Sequence, residues 1–396
     1  MQTRIQICVR VFYVKSLPLM REVDGIEDPG RRERRQKESL PQSFCFAKIQ
    51  PPRQRGPANG YSVRYNMKIS KSAYFDSFRC LADRCPDSCC HEWDVLVDDA
   101  SAARYRALPG PLGDHLRRVM TEEDGQVFMA LEQGRCPMWR GDGLCRIQAQ
   151  LGHESLCKTC REFPRLRHDY GDFVELGLEL SCPEAARLIL TQPFAPRITE
   201  EIPGGEDPEY DAEAMTVLLQ TREEALKILQ DTTRSVGETL AIFLLYGVHA
   251  QELVDGGAGE FDPETALDAA REFAAAGESG ALPAFYLGLE LLTDRWRKRL
   301  EEPASGAWSE MTRAFACYCV ERYWLQAVSD YDLVSRIKMT VAACLLLRTL
   351  GGDFVETAQL YSKEIENSAE NVDAILDATY ESPAFADNKL LGLLLL

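Results

Sequence analysis

The chain has 396 residues, with 45% hydrophobic and 27% charged residues, enough to bury a sizeable core and to form two or three domains. Its net charge of −17 excludes a general nucleic-acid binder, because phosphate backbones attract dense Lys and Arg rather than carboxylates. No apolar run approaches the length needed to span a bilayer, and no secretory signal pattern opens the chain, so a cytoplasmic protein with no membrane partner is expected.

Residues 1–66 carry 13 Lys+Arg against 6 Asp+Glu, whereas the remainder is strongly acidic. RVFYV (10–14) has strand character, but GRRERRQKESLPQ (30–42) and QPPRQRGPANG (50–60) are basic and rich in chain breakers. This segment reads as a basic extension, either a disordered tail or an over-extended gene start, upstream of a domain whose natural start is expected at Met67. Residues 67–192 form the cysteine-rich domain. Within it, VDDASAARYRAL (97–108) predicts a helix capped by Asp98 or Asp99, and DHLRRVM (114–120) a second. VFMALEQGRCPMW (127–139) begins as a strand and ends in a turn. CRIQAQLG (145–152) predicts a short helix stopped by Gly152, and CPEAARLILTQ (182–192) one with Pro183 at its first position.

PFAPRITEEIPGG (193–205) reads as a linker, and residues 206–396 as an all-α domain. Apolar residues recur at helical spacing over 212–231, 235–254, 283–300, 311–328 and 331–351. The last of these is apolar nearly all round and predicts a central buried helix. DNKLLGLLLL (387–396) is either a docked tail or a local oddity. The fold class expected is mostly α: an irregular and helical cysteine-rich half holding a metal or iron–sulfur cluster, then a helical half.

The chemistry concentrates in CLADRCPDSCCHEW (80–93) and its continuation. Nine cysteines cluster: Cys80, Cys85, Cys89, Cys90, Cys136, Cys145, Cys157, Cys160 and Cys182. A disulfide knot, a metal or iron–sulfur site, and a reactive thiol are the three possible readings. Dense cysteines in a reducing compartment favour metal. Thiolates two to four residues apart can point at one ion, as in Cys85-x3-Cys89 and Cys157-x2-Cys160, and two such pairs make one four-sulfur site. Three cysteines precede proline (Cys85, Cys136 and Cys182), which suits a loop wrapping a cluster. Spacing does not separate zinc from iron–sulfur. Cys317, Cys319 and Cys344 sit in apolar helices and read as inert core thiols. His91 is a further ligand candidate or a hydrogen-bond donor to a sulfur. A redox role for Cys157-x2-Cys160 lacks the βαβ context and leaves seven cysteines without a purpose.

FRCLADRCPDSCCHEWDVLVD (78–98), CPMWRGDGLCRIQAQLGHESLCKTCREFPR (136–165) and ELSCPEAARLIL (179–190) resemble the flagellin lysine N-methylase family. YDLVSRIKMTVAACLLLRTL (331–350) and YSKEIENSAENVDAIL (361–376) are similar to it too. The first two blocks also resemble the broader group of proteins with a cysteine-rich zinc- or iron-chelating motif. The resemblance runs from about Met67 to about Tyr380.

It implies a cytoplasmic enzyme that transfers a methyl group from S-adenosylmethionine to lysine ε-amines on flagellin or another protein. It also implies an iron–sulfur cluster, [4Fe-4S], with zinc the alternative, on these cysteines. The function of another class is a non-catalytic zinc- or iron-binding protein or electron carrier. No glycine-rich fingerprint marks a Rossmann-type cofactor site, and no C-x3-C-x2-C radical motif is present. Methylation needs a neutral amine, and a sulfonium donor is steadied by carboxylates and aromatic faces. Candidates are Asp83, Asp87, Glu92, Asp94, Asp330 and Asp332, with Trp93, Trp139, Tyr323, Trp324 and Tyr331. None of these is singled out as catalytic.

Overall fold

A computed structural model describes residues 65–396 except Asp94, Asp124 and Glu206. The basic segment and the strand expected at 10–14 lie outside the described residues. The described chain is mostly helical, with two small sheets in its N-terminal half.

Strand β1 (Tyr65–Lys71) opens a four-stranded sheet with β5 (Arg165–Asp169), β6 (Phe173–Leu178) and β7 (Ile198–Gly205), in the order β5-β6-β1-β7. β1 runs parallel to β6, with Lys68 opposite Phe173, and antiparallel to β7, with Met67 opposite Ile202. The segment expected to be a linker therefore contains an edge strand instead. Pro203 is tolerated there because an edge strand needs no hydrogen-bond donor on its open side. Arg197 fastens the start of β7 by donating to Ser70 O and Leu176 O, both at 2.9 Å.

The crossover from β1 to β6 holds the cysteine-rich segment. It contains a second sheet, in which β4 (Gln126–Met129) pairs with both β2 (Val95–Val97) and β3 (Met120–Glu123). Helices α1 (Asp99–Ala107) and α2 (Gly110–Val119) pack with it around Val95, Val97, Tyr105, Leu116 and Met129. Asp98 caps α1 by accepting from Ser101 N at 3.0 Å. Two short helices follow, α3 (Arg146–Leu151), ended by Gly152 at φ 84°, and α4 (Lys158–Glu162). Cys136 and Cys157 are part of this small core.

From α5 (Pro183–Thr191) onward the chain builds a larger core. Helices α6 (Ala212–Gln230) and α7 (Val236–Val254) are long and capped, α7 by a capping box between Ser235 and Glu238. α8 (Pro263–Phe273), α9 (Ala281–Leu287) and α10 (Asp294–Glu301) are shorter. The single helix expected over 283–300 is thus two. The break is held from outside: Glu290 N donates to Asn371 Oδ1 (3.1 Å) and Leu292 N to Glu364 Oε2 (2.7 Å).

α11 (Met311–Tyr323) continues into a 3-10 turn. α12 (Leu333–Leu350) is buried nearly all round, as its composition predicts. α13 (Phe354–Tyr361) runs into a π-helical turn, Ser362–Glu366, and then α14 (Ala369–Glu381). The leucine-rich end forms α15 (Asp387–Leu395), docked with Leu390 and Leu391 fully buried. No helix among the described residues is long and apolar enough to cross a membrane.

Candidate metal centre

All nine clustered cysteines are free and lie on loops or helix starts; Cys90, Cys136, Cys145, Cys157 and Cys160 pack in or against the small core, and Cys182 in the large one. Cys145, Cys157 and Cys182 are the cap residues of α3, α4 and α5. Backbone amides of the first turn are directed at each sulfur, without closing a full cap hydrogen bond. Such amides favour the thiolate, the form that binds metal. The sequence signal for Cys182 was its Cys-Pro pair, with the proline at the first helical position.

Mutual influence sorts the thiols into two touching groups. Cys80, Cys85 and Cys182 act on one another electrostatically, and Cys89 feels Cys80 and Cys182. Cys90, Cys136, Cys145, Cys157 and Cys160 form the second group, which Cys89 also joins through Cys90 and Cys160. Cys85 therefore sorts with Cys80 and Cys182, and the Cys157/Cys160 pair with Cys90, Cys136 and Cys145.

Hydrogen bonds from the Cys136 and Cys89 thiols pull Cys90 far below the usual thiol range. The thiol of Cys160 does the same, more weakly, to Cys157. Burial pushes the Cys182 thiol up to about 12, and raises Cys85 and Cys145 as well. Buried sulfurs that share protons in this way gain by exchanging those protons for a cation.

Among the described residues no group of three or more His, Cys, Asp or Glu side chains stands in finished metal-binding geometry. Two observations nevertheless fit a thiolate-bound metal or cluster. The donor set is soft and mutually facing. His91 presents a buried Nε2 with no hydrogen-bond partner, while its ring meets the edge of Trp139 at 5.5 Å. Burial, then Arg135, lowers the His91 pKa.

The candidate carboxylates divide. Asp87 and Glu92 both contact Lys363 Nζ, Glu92 at 2.8 Å. Trp93 donates its indole N–H to Cys89 O (2.9 Å), so these three residues do belong to the thiol loop. Trp139 lies under Arg135, with the guanidinium 4.2 Å from its ring centre. Asp330 instead pairs with Arg336 at 2.9 Å, and Asp332 caps α12 and accepts from Tyr380. Tyr331 donates to Asp211, Tyr323 to Glu366, and Trp324 to Thr221. Those residues serve the helical body. Asp94 lies outside the described residues.

A narrow cleft was not anticipated. It lies between the four-stranded sheet and α11. Leu166, Leu176 and Leu178 give it apolar walls, and Tyr74, His168, Glu321 and Arg197 give it polar ends. Burial raises the Glu321 carboxyl, which meets Arg197 at 3.5 Å. Burial, then Arg322, lowers His168 to about 4. Charged residues at positions 321 and 322, inside an otherwise apolar helix, were the available signal.

The fold and site define a mostly helical protein with nine free cysteines clustered in its N-terminal half. Over 140 residues, 34% of this chain, it is 31% identical to the lysine-N-methylases of Salmonella choleraesuis (strain SC-B67) and Salmonella typhimurium. That match spans 35% of each of those relatives. Over 144 residues it is 30% identical to the flagellar biosynthetic protein FliU of Salmonella muenchen and covers 83% of it. The chain belongs to the flagellin lysine N-methylase family. No family model and no solved structure matches it.

Proposed function

We propose that this chain is a cytoplasmic, S-adenosylmethionine-dependent protein lysine N-methylase that acts on flagellin, with a [4Fe-4S] cluster on its clustered cysteines. The similarity to relatives named as lysine-N-methylases carries this reading, and the gathered thiols support its cofactor. Four of Cys90, Cys136, Cys145, Cys157 and Cys160 would hold the cluster, with Cys80, Cys85, Cys89 and Cys182 beside them. When bound, the cluster ties together loops that lack a core of their own.

The acceptor lysine must lose its proton before it can take a methyl group. The cleft beneath the sheet suits this task. Beside its leucines, Glu321 and His168 are proton acceptors in a partly dry setting. The acidic body of the protein favours a cationic donor and a lysine-bearing partner over polyanions.

The test is chemical analysis of protein purified without oxygen, for iron, acid-labile sulfide and zinc, followed by methyl transfer from labelled donor to flagellin. Iron and sulfide in near-equal amounts together with label on flagellin lysines are expected. Cys157→Ser should lose both the metal and the transfer. Zinc without sulfide overturns the cluster, and absence of transfer by metal-replete protein overturns the activity.

A further inference from the structure

Lys363 is 276 residues away from Asp87 in sequence, yet its ammonium is sunk into the cysteine loop. Its side chain is 2% exposed. Nζ lies 3.2 Å from both carboxylate oxygens of Asp87, 2.8 Å from Glu92 Oε2, and 5.6 Å from the centre of the Trp93 ring. One turn earlier, Gln359 donates to Asp87 Oδ2 (3.0 Å) and to Ser181 O (2.7 Å), beside Cys182. A single strip of helix therefore grips the chain next to Cys85, Cys89, Cys90 and Cys182.

The gripped loop has little structure of its own. Residues 78–93 contain one 3-10 turn and one bridge, from His91 to Arg135. Glu92 adopts φ 74°, a left-handed conformation that costs energy in a non-glycine residue and needs support. Lys363 supplies that support from the π-helical turn, whose extra residue re-aims the side chains that follow α13. Burying an ammonium is expensive, and simple helix packing would be met more cheaply by Leu or Met. The two carboxylates meet its charge, so its part is to hold them, and through them the loop, in place.

We propose that Lys363 is a positioning residue, the buried cation through which the C-terminal helices hold the Cys85–Cys90 loop in metal-binding shape. This rests on the reading of the thiols as a metal centre. Partners that orient ligands commonly account for 10- to 100-fold in metal affinity.

The test uses full-length protein stripped of metal and titrated with Co²⁺, whose thiolate charge-transfer band reports binding at the sulfurs. Lys363→Met should fold, as judged by far-UV circular dichroism and gel filtration, and bind Co²⁺ at least about 10-fold more weakly than wild type. Lys363→Arg should recover most of that loss. The triple variant K363M/D87N/E92Q, which removes the stranded carboxylate charges, should regain stability without regaining affinity. Wild-type affinity in K363M overturns the proposal. Recovery of stability and affinity together in the triple variant also overturns it, since the role would then be purely structural. If K363M does not fold, Asp87→Asn takes its place, and unchanged Co²⁺ affinity there overturns the proposal equally. Absence of Co²⁺ binding by wild type instead sinks the metal reading itself.

Discussion

Glu175→Gln is the most informative single change to the scaffold. Glu175 lies on β6, and its two oxygens accept from Arg222 Nη1 and Nη2 of α6, both at 2.8 Å. The side chains are 5% and 10% exposed, and Arg197 Nε is 3.8 Å from the same carboxylate. Burial raises the Glu175 carboxyl, but Arg222 and Arg197 outweigh it and hold it below the ordinary carboxylate range. Glutamine keeps the shape and deletes the charge, leaving two guanidinium groups facing each other without their anion. Breaking one side of a buried pair costs about 3–5 kcal/mol. Arg197 retains Glu321, so the lower end, about 3 kcal/mol, is expected here. In a chain of this size that is a fall in Tm of roughly 3–5 °C. The stabilisation is present above the ordinary glutamate pKa and is lost as pH falls through the lower folded value. The deficit of the variant should therefore shrink in acid. Urea unfolding followed by far-UV circular dichroism at pH 7 and at pH 3 measures both. A variant within about 1 kcal/mol of wild type at pH 7 refutes the reasoning.

His168 and Glu364 should give opposite pH profiles. With His168 lowered to about 4, its contribution is complete above the ordinary histidine value and lost as pH falls from there toward 4. His168→Gln should flatten the acid side of a plot of urea midpoint against pH. Burial raises Glu364 to about 7, so its contribution is complete below the ordinary glutamate value and lost as pH rises through 7. Glu364→Gln should flatten the neutral side of the same plot. Gly392→Ala tests the docked C-terminus: an added Cβ meets Ala275 O at 1.8 Å, a backbone atom that cannot step aside. A loss on the order of 2–4 kcal/mol in the same unfolding assay is expected, with protease cleavage near the C-terminus.

The helices were legible because each signal is local. Asp98, Ser235 and Pro183 announce starts, and the apolar character of α12 announces burial. The four-stranded sheet was not legible, because its strands carry charges where a buried strand would alternate. β5 is RLRHD, and β7 ends in Pro-Gly-Gly, the composition of a connector. The break between α9 and α10 is imposed by Asn371 and Glu364, more than 70 residues away, so no window of sequence contains its cause. The nine cysteines were readable as a set. Their sorting into two groups was not, because it depends on which distant loops and helix starts the fold brings together. Lys363 was invisible for the same reason: a lysine in YSKEIEN reads as solvated until its partners at 87 and 92 are known.

The parallel pairing of β1 with β6 has a consequence during synthesis. The two strands are separated by about 100 residues, and eight of the nine clustered cysteines, Cys80 to Cys160, lie between them. At translation rates of about 5–20 residues per second, roughly 5–20 s elapse between the emergence of β1 and that of its partner. Throughout that interval the thiols exist without the frame that later confines them. Air oxidation and capture of the wrong ion thus compete with closure of the sheet on the ribosome. Until β6 is made, the order of synthesis rather than the finished fold sets how exposed those thiols are.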